Sequence, residues 1–440
     1  MTNLSAIQII PSIKIHGSRI SNLAIHKYIW IYLTFFPVLP GILGANLAQQ
    51  LMHVIFLPAC LILIIYKAKF IDKRTILYGT AIVCAIMFFY SITAITMTAM
   101  LTVRDITDIV RPGIYFMYFI LPLCVHLNFD EFTKLIEFLK KLIVVQLIFS
   151  LFIYFPILWP IVDIFKGRPS DDMALHFYRW SGTYGFPSDF SFLLSFYIFF
   201  YISLIQIKGK LPARELIIFG CCAVALYMTF SRGGIFATVG ILIIQLIATG
   251  LIARIKVLVM SITLTLFMIG YFSSNSSENY GIYTEYLTSV FTQDIDSSAS
   301  HRIRELELAR DSALRNPPLG IGPARVEIAS QISVIESFYG YHLIKWGIAG
   351  LLFMLAIKLT ITRHSISFYK KYKVHESTHE VSAFALAVAL ITMSEILLFG
   401  LSSAITDRLK TLPTYYLFVG YVFMLKAQTN SLRVILKHSQ

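Results

Sequence analysis

Four short stretches of this chain combine residue types that bind anions or move protons. The first is Arg179-Trp180-Ser181-Gly182-Thr183-Tyr184-Gly185-Phe186-Pro187, and the second is Ser231-Arg232-Gly233-Gly234. The third sets Arg302 ahead of Asn316-Pro317, Gly320 and Gly322. The fourth is Glu336-Ser337-Phe338-Tyr339, with His342 and Trp346-Gly347 behind it. A guanidinium is a planar fork that grips two phosphate oxygens at once, whereas an ammonium is a hydrated point charge. A carboxylate or imidazole within reach can accept a proton from a hydroxyl. These are the parts of a site that stabilises negative charge and takes up a proton.

The elements that must hold them are read from composition. The chain has 440 residues, 57% hydrophobic and 14% charged, which excludes a disordered chain and is too apolar for an ordinary soluble enzyme. Apolar runs recur at the length needed to cross a hydrocarbon core of ~30 Å as helices. The expectation is one all-α polytopic membrane domain over 1–440 with about twelve spans. They are Tyr28–Asn46, Leu51–Tyr66, Ile76–Met100, Ile106–Leu127, Leu142–Val162, Phe190–Ile207, Leu216–Phe230, Gly233–Gly250, Val257–Phe272, Ser337–Ile357, Val381–Leu401 and Pro413–Leu425. Two polar excursions remain, a short one at 163–189 and a long one at 273–336 between the ninth and tenth spans. In the long one Ser300 can cap a helix to about Leu314, ended by Pro317-Pro318.

The net charge of +13 is spread between the spans rather than along one stripe, so it reads as topology and not as nucleic-acid binding. Lysines such as Lys67, Lys140, Lys208 and Lys370 fall on one side, which places both termini in the cytoplasm. Arg104, Arg111, Arg168, Arg179, Arg232, Arg302, Arg304, Arg310, Arg315, Arg325 and Arg408 fall on the other. Arginine on the outer face runs against the usual bias and suggests a task. All five cysteines lie in apolar runs, so neither a disulfide framework nor a zinc site is indicated. No cleavable leader is expected, and the first span stays as a signal anchor.

In order, spacing and face, the four stretches resemble the O-antigen polymerase and ligase family of bacterial inner-membrane glycosyltransferases, over roughly Arg179 to Leu352. The resemblance implies a GT-C-like fold with a helical periplasmic loop. It implies a glycan donor on polyprenyl diphosphate, a lipid-linked acceptor, contact with membrane lipid and a chain-length regulator as partner. Where ligases carry a histidine ahead of the tenth span, this chain has Glu336, which favours a polymerase. Arg232 and Arg302 are then the leading ligands of the diphosphate, with Arg179, Arg111, Arg304 and Tyr339 as further substrate contacts. Glu336 is the general base and His342 its rival.

Each assignment has a structural alternative. Arg232 can reach headgroups while Gly233-Gly234 let helices pack closely. Arg302 can bridge to Glu305 or Glu307, Arg111 can cap its span, and Glu336 can cap a helix. Glu395, inside the eleventh span, can meet acceptor sugar or balance an arginine. Rival functions are a ligase acting on lipid A core or protein, a flippase for the same lipid, and, last, a glycosidase, which needs two carboxylates. A diphosphate leaving group needs its charge stabilised but no proton, and arginines can do this without a metal or other cofactor. Glycan transfer by the purified protein should therefore survive a strong chelator. Loss of transfer that an added divalent cation restores would refute this.

Overall fold

The structure, a computed structural model, describes residues 21–39, 44–67, 73–98, 100–166, 179–248, 297–332, 335, 337–402 and 410–438. Among these every regular element is helical. In chain order they are α1 (Asn22–Phe35), α2 (Gly44–Lys67), α3 (Lys73–Met97), α4 (Val103–Cys124), α5 (Phe129–Ser150), α6 (Trp159–Asp163), α7 (Pro187–Lys208), α8 (Ala213–Met228), α9 (Arg232–Ala248), α10 (Ser297–Arg315), α11 (Arg325–Gln331), α12 (Phe338–Tyr372), α13 (His379–Ser394) and α14 (Thr411–His438). A π turn at Glu395–Phe399 follows α13. Two helix starts are fixed by reciprocal capping. Asp105 accepts from the Thr102 N–H at 2.7 Å, and Asn128 and Glu131 exchange bonds of 2.8 and 3.0 Å.

Among the described residues five helices are long and apolar enough to cross a membrane: Ile76–Met97, Asp105–Cys124, Pro187–Lys208, Phe338–Tyr372 and Glu376–Phe399. A sixth follows if Phe129–Tyr154 and Pro156–Asp163, which meet at 117°, form one broken span. Several of the twelve expected spans are shortened or broken, and one lies outside the described residues. The first expected span stops at Phe35, before Pro37, and the chain then turns through Leu39 at φ 48°. The seventh and eighth become helices of 16 and 17 residues. The ninth, Val257–Phe272, lies outside the described residues, as does the first part of the 273–336 excursion. The helix expected from Ser300 to about Leu314 is α10, running from Ser297 to Arg315 and stopping before Pro317-Pro318. Ser300 sits within it rather than at its cap.

The bundle centres on α13, which packs against both α12 and α7. Its Ala383, Ala385, Ala387 and Ala389 are fully buried, and small residues let backbones approach. Phe196 of α7 stacks on Phe418 of α14 at 4.0 Å. Elsewhere α14 lies along α4, and α3 covers the other side of α4.

The element that shapes the site is α12, which is two helices rather than one. Gly347 has φ 63° and ψ −167°, a conformation only glycine adopts readily. Tyr339 donates to the Ile396 carbonyl and Lys358 to the Glu395 carboxylate. In one straight helix these two donors would stand about 28 Å apart along the axis, yet they reach adjacent residues. The chain therefore bends sharply at Gly347, which brings 338–346 towards the level of Lys358.

Such a break strips carbonyls and an amide of their helical partners, and in a membrane each must be satisfied inside the protein. The strap Pro317–Gly322 does this. Ile321 N–H donates to Ile344 O at 2.8 Å, Gly322 N–H to Lys345 O at 2.9 Å, and Ile348 N–H to Pro317 O at 2.9 Å. The strap sits backbone on backbone. A Cβ on Gly347 would lie 2.6 Å from Gly320 N and 2.7 Å from Leu319 N. Gly347→Ala should thus cost at least ~2 kcal/mol through strain and collision together, read as a large drop in the thermal unfolding midpoint in detergent. An unchanged midpoint would show that the strap does not hold the joint.

Candidate functional site

The bend brings three levels of polar side chains to one cavity. From α4, Asp108 and Arg111 project one turn apart on the same face. Asp108 is completely enclosed and holds two cations, Arg111 Nη2 at 3.1 Å and Lys345 Nζ at 2.6 Å. Arg111 Nη1 also donates to the Tyr341 hydroxyl at 3.2 Å, and the Lys345 ammonium lies 4.5 Å from the Tyr341 ring centroid. A carboxylate removed from water needs such partners.

Beside this group is His342. It is 2% exposed, lines the cavity, and neither ring nitrogen has a hydrogen-bond partner. A buried imidazole with both nitrogens unsatisfied forgoes at least one hydrogen bond, which the enclosed wall does not return. Further along the helix, Lys358 lies ten residues past Ile348, about 15 Å along the axis. It pairs with Glu395 and sits 4.0 Å from the Tyr415 ring centroid. The second oxygen of Glu395, Oε1, is buried without a partner.

The cavity is about 1110 Å³ and runs between α3, α4, α12 and α14. Its polar chamber is lined by Asp108, Arg111, Tyr341, His342 and Lys358. The cavity continues along apolar walls that include Ile82, Phe116, Phe353 and Phe423, and its lining also takes in His364 and Lys426. A polar chamber opening into an apolar channel has the shape of an amphiphile with a charged head.

Arg111 and His342 are thus brought together, while the other expected residues lie elsewhere. Arg179 turns inward and donates to the carbonyls of Thr229 at 2.8 Å and Phe230 at 2.9 Å. It secures the turn that precedes Arg232, where Phe230 has φ 47°. Arg232 starts α9, half-buried and apart from the cavity walls. Gly234 faces Ser191, whose Oγ would be 2.3 Å from an added Cβ, so close packing of α7 and α9 accounts for this glycine. Arg304 is exposed on α10, and Arg310 pairs with Asp311 at 3.1 Å. Tyr339 is committed to the Ile396 carbonyl. Glu336 and the side chain of Arg302 lie outside the described residues. The neighbouring Ser337 starts 338–346, its N–H and hydroxyl donating to buried Glu305 at 2.9 and 2.5 Å.

Sequence patterns alone do not single out Asp108, Lys345, Lys358 or Tyr341. Two had a usable signal: Asp108 and Arg111 share an otherwise apolar turn, and Lys358 interrupts a hydrocarbon-soluble run, so each needed a partner. Among the described residues one trio of carboxylates, Glu137, Glu215 and Glu380, is close enough to share an ion. Lys140 already bonds all three, at 2.7, 2.7 and 3.2 Å.

Among the described residues the chain is therefore all-helical, with five or six helices able to cross a membrane and a charged chamber between them. No family model matches it, and no curated protein matches it.

Two lysines near the turn regions report on burial. Lys410 is enclosed, donating to Thr34 O at 3.0 Å and Thr183 O at 2.5 Å, and burial holds it well below its ordinary value against the opposing pull of Asp189. Burial likewise pushes Lys166 down to about 8, with Asp163 opposing and Arg179 adding to the fall. A lysine lowered in the fold binds its proton more tightly when unfolded, so its penalty is constant below pH ~8 and fades towards its unfolded value of ~10.4. Lys166→Met should raise the unfolding midpoint, with the gain shrinking as pH rises across that window. A gain independent of pH would mean that Lys166 carries no buried charge.

Proposed function

We propose that the protein is a membrane glycosyltransferase of the polymerase kind, moving a growing glycan from polyprenyl diphosphate to the hydroxyl of a new lipid-linked repeat unit. In this reading the chain crosses the bacterial inner membrane about twelve times, with both termini cytoplasmic and the chamber on the periplasmic side. The carrier tail lies along the apolar walls of the cavity and the diphosphate meets Arg111, while Arg232, which stands apart from the cavity, has no part in this arrangement. The acceptor oxygen attacks the anomeric carbon as the bond from that carbon to the diphosphate breaks. The diphosphate leaves with the bonding electrons, and the hydroxyl proton passes to His342 or Glu336. One displacement inverts the anomeric centre. Arg111 stabilises the charge that develops on the leaving oxygens.

The observation that carries this reading is His342, a buried imidazole with two unpartnered nitrogens, in the same chamber as an arginine and at the head of an apolar channel. A chain-length regulator would act on the assembled enzyme from outside the chamber. Transfer to lipid A core or protein is the ligase alternative, against which the acidic residue at Glu336 weighs.

A second reading, movement of the same lipid across the membrane, is favoured by Lys358, whose charge lies midway along the channel. Transfer in detergent separates the two, since a pure translocator has no membrane to work across and forms no bond. With purified protein, defined donor and acceptor, and detergent present, new glycosidic bonds should form. His342→Gln should slow the reaction ~10²–10⁴-fold if it is the base, and Glu336→Gln should do so if the carboxylate is. Full transfer in both variants would overturn the chemistry proposed, and no transfer by the intact wild-type protein would favour translocation.

A further inference from the structure

The end of the cavity at His364 and Lys426 has a chemistry of its own. His364 lies seventeen residues past Gly347, about 25 Å along the helix and towards its lysine-rich end. There Lys426 of α14 contacts the His364 ring, and Arg363 is close enough to act on both electrostatically. His364, Lys426 and Ala427 line this end, and Phe423 and Gly79 continue the wall inward. Exposed Lys370, Lys371 and Lys373 follow where α12 ends. This end of the cavity is cationic, apolar side chains line the cavity behind it, and the exposed lysines beyond it mark the lysine-rich side of the chain.

We infer that this end of the cavity is a binding site for an anionic glycerophospholipid of the lysine-side leaflet. Its phosphate lies between Lys426 and Arg363, and one acyl chain enters the channel towards Lys358. Charge and shape select this occupant together. A zwitterionic lipid brings an ammonium of its own against Lys426, and a soluble phosphate leaves the apolar wall uncovered. The site needs nothing from the transferase reading, because no residue of the upper chamber takes part. It gives the lower channel an occupant that fills it from the opposite leaflet, so any carrier tail from above meets a lipid chain rather than water.

The test uses full-length protein in nanodiscs of phosphatidylcholine and phosphatidylglycerol, re-extracted and examined by native mass spectrometry. The wild type should retain phosphatidylglycerol in preference to phosphatidylcholine, and the preference should weaken as ionic strength rises. Lys426→Gln should lower that retention about fivefold, the effect of one cation beside an anionic headgroup, and Arg363→Gln should act in the same direction. Arg111→Gln, at the upper chamber, should leave it unchanged. The inference is overturned if the wild type shows no preference, if Lys426→Gln retains as much phosphatidylglycerol as wild type, or if Arg111→Gln lowers retention equally. Displacement of the lipid by inorganic phosphate alone would also overturn it, since the acyl chain would then contribute nothing. Because the wild-type preference is read without any substitution, a variant that fails to fold leaves the test decisive.

Discussion

The whole arrangement depends on the break in α12 at Gly347. A helix can stop inside a membrane only where its freed peptide groups find partners, and here the strap Pro317–Gly322 supplies them through three backbone bonds. The strap can come that close because both glycines, Gly320 and Gly347, have positive φ and no Cβ. Without the joint, 338–346 would continue the line of 348–372. Tyr341, His342 and Lys345 would then be carried well above the level of Lys358, and the chamber would lose one wall.

Electrostatics then fix the position of what the backbone brings together. Asp108 is shared between Arg111 on its own helix and Lys345 on the short helix, so the pair of helices is joined by a buried carboxylate with two cations. Lys358 and Glu395 make a similar link between the long helix and the π turn. Removing one partner of either group would strand a charge in a low-dielectric interior, at a cost of ~3–5 kcal/mol, whereas the intact networks add less than their number suggests. Their main effect is to select one packing of α4, α12 and α13 over others. The π turn belongs to the same logic. Its widened geometry places Glu395 at Lys358 and leaves the Ile396 carbonyl for Tyr339.

The sequence made the class and the local elements legible. The apolar composition pointed to a helical bundle with helices able to cross a membrane, and α10 could be placed because its periodicity ends at two prolines. Of the residues singled out by type, Arg111 and His342 meet in one chamber and Gly320, Gly322 and Gly347 form the joint beside it, whereas Arg232 lies apart from it. Three-dimensional consequences of the joint were not legible. Arg179 reads as an anion ligand until the Thr229 and Phe230 carbonyls, fifty residues away, are seen to take its guanidinium. Breaks such as the one at Phe155 are likewise invisible to a hydropathy window, because the residues on both sides remain apolar.

The glycines of the third and fourth stretches now have a physical reason that does not depend on any reaction. Gly320, Gly322 and Gly347 serve backbone contact, since a side chain at the first or last would strike peptide atoms and at Gly322 would strike Thr98. Chemistry belongs to the side chains between and beneath them. His342 stands about one turn into a short helix whose start is clamped by Glu305 and whose end is clamped by the strap, so its backbone is held at both ends. An imidazole held without a partner forgoes a hydrogen bond, and a fold that fixes both ends of its helix keeps that group available to whatever enters the chamber. The same rigidity explains why Arg111 faces the cavity: tied to Asp108 and Tyr341, its guanidinium is oriented before any anion arrives, which lowers the entropy lost on binding.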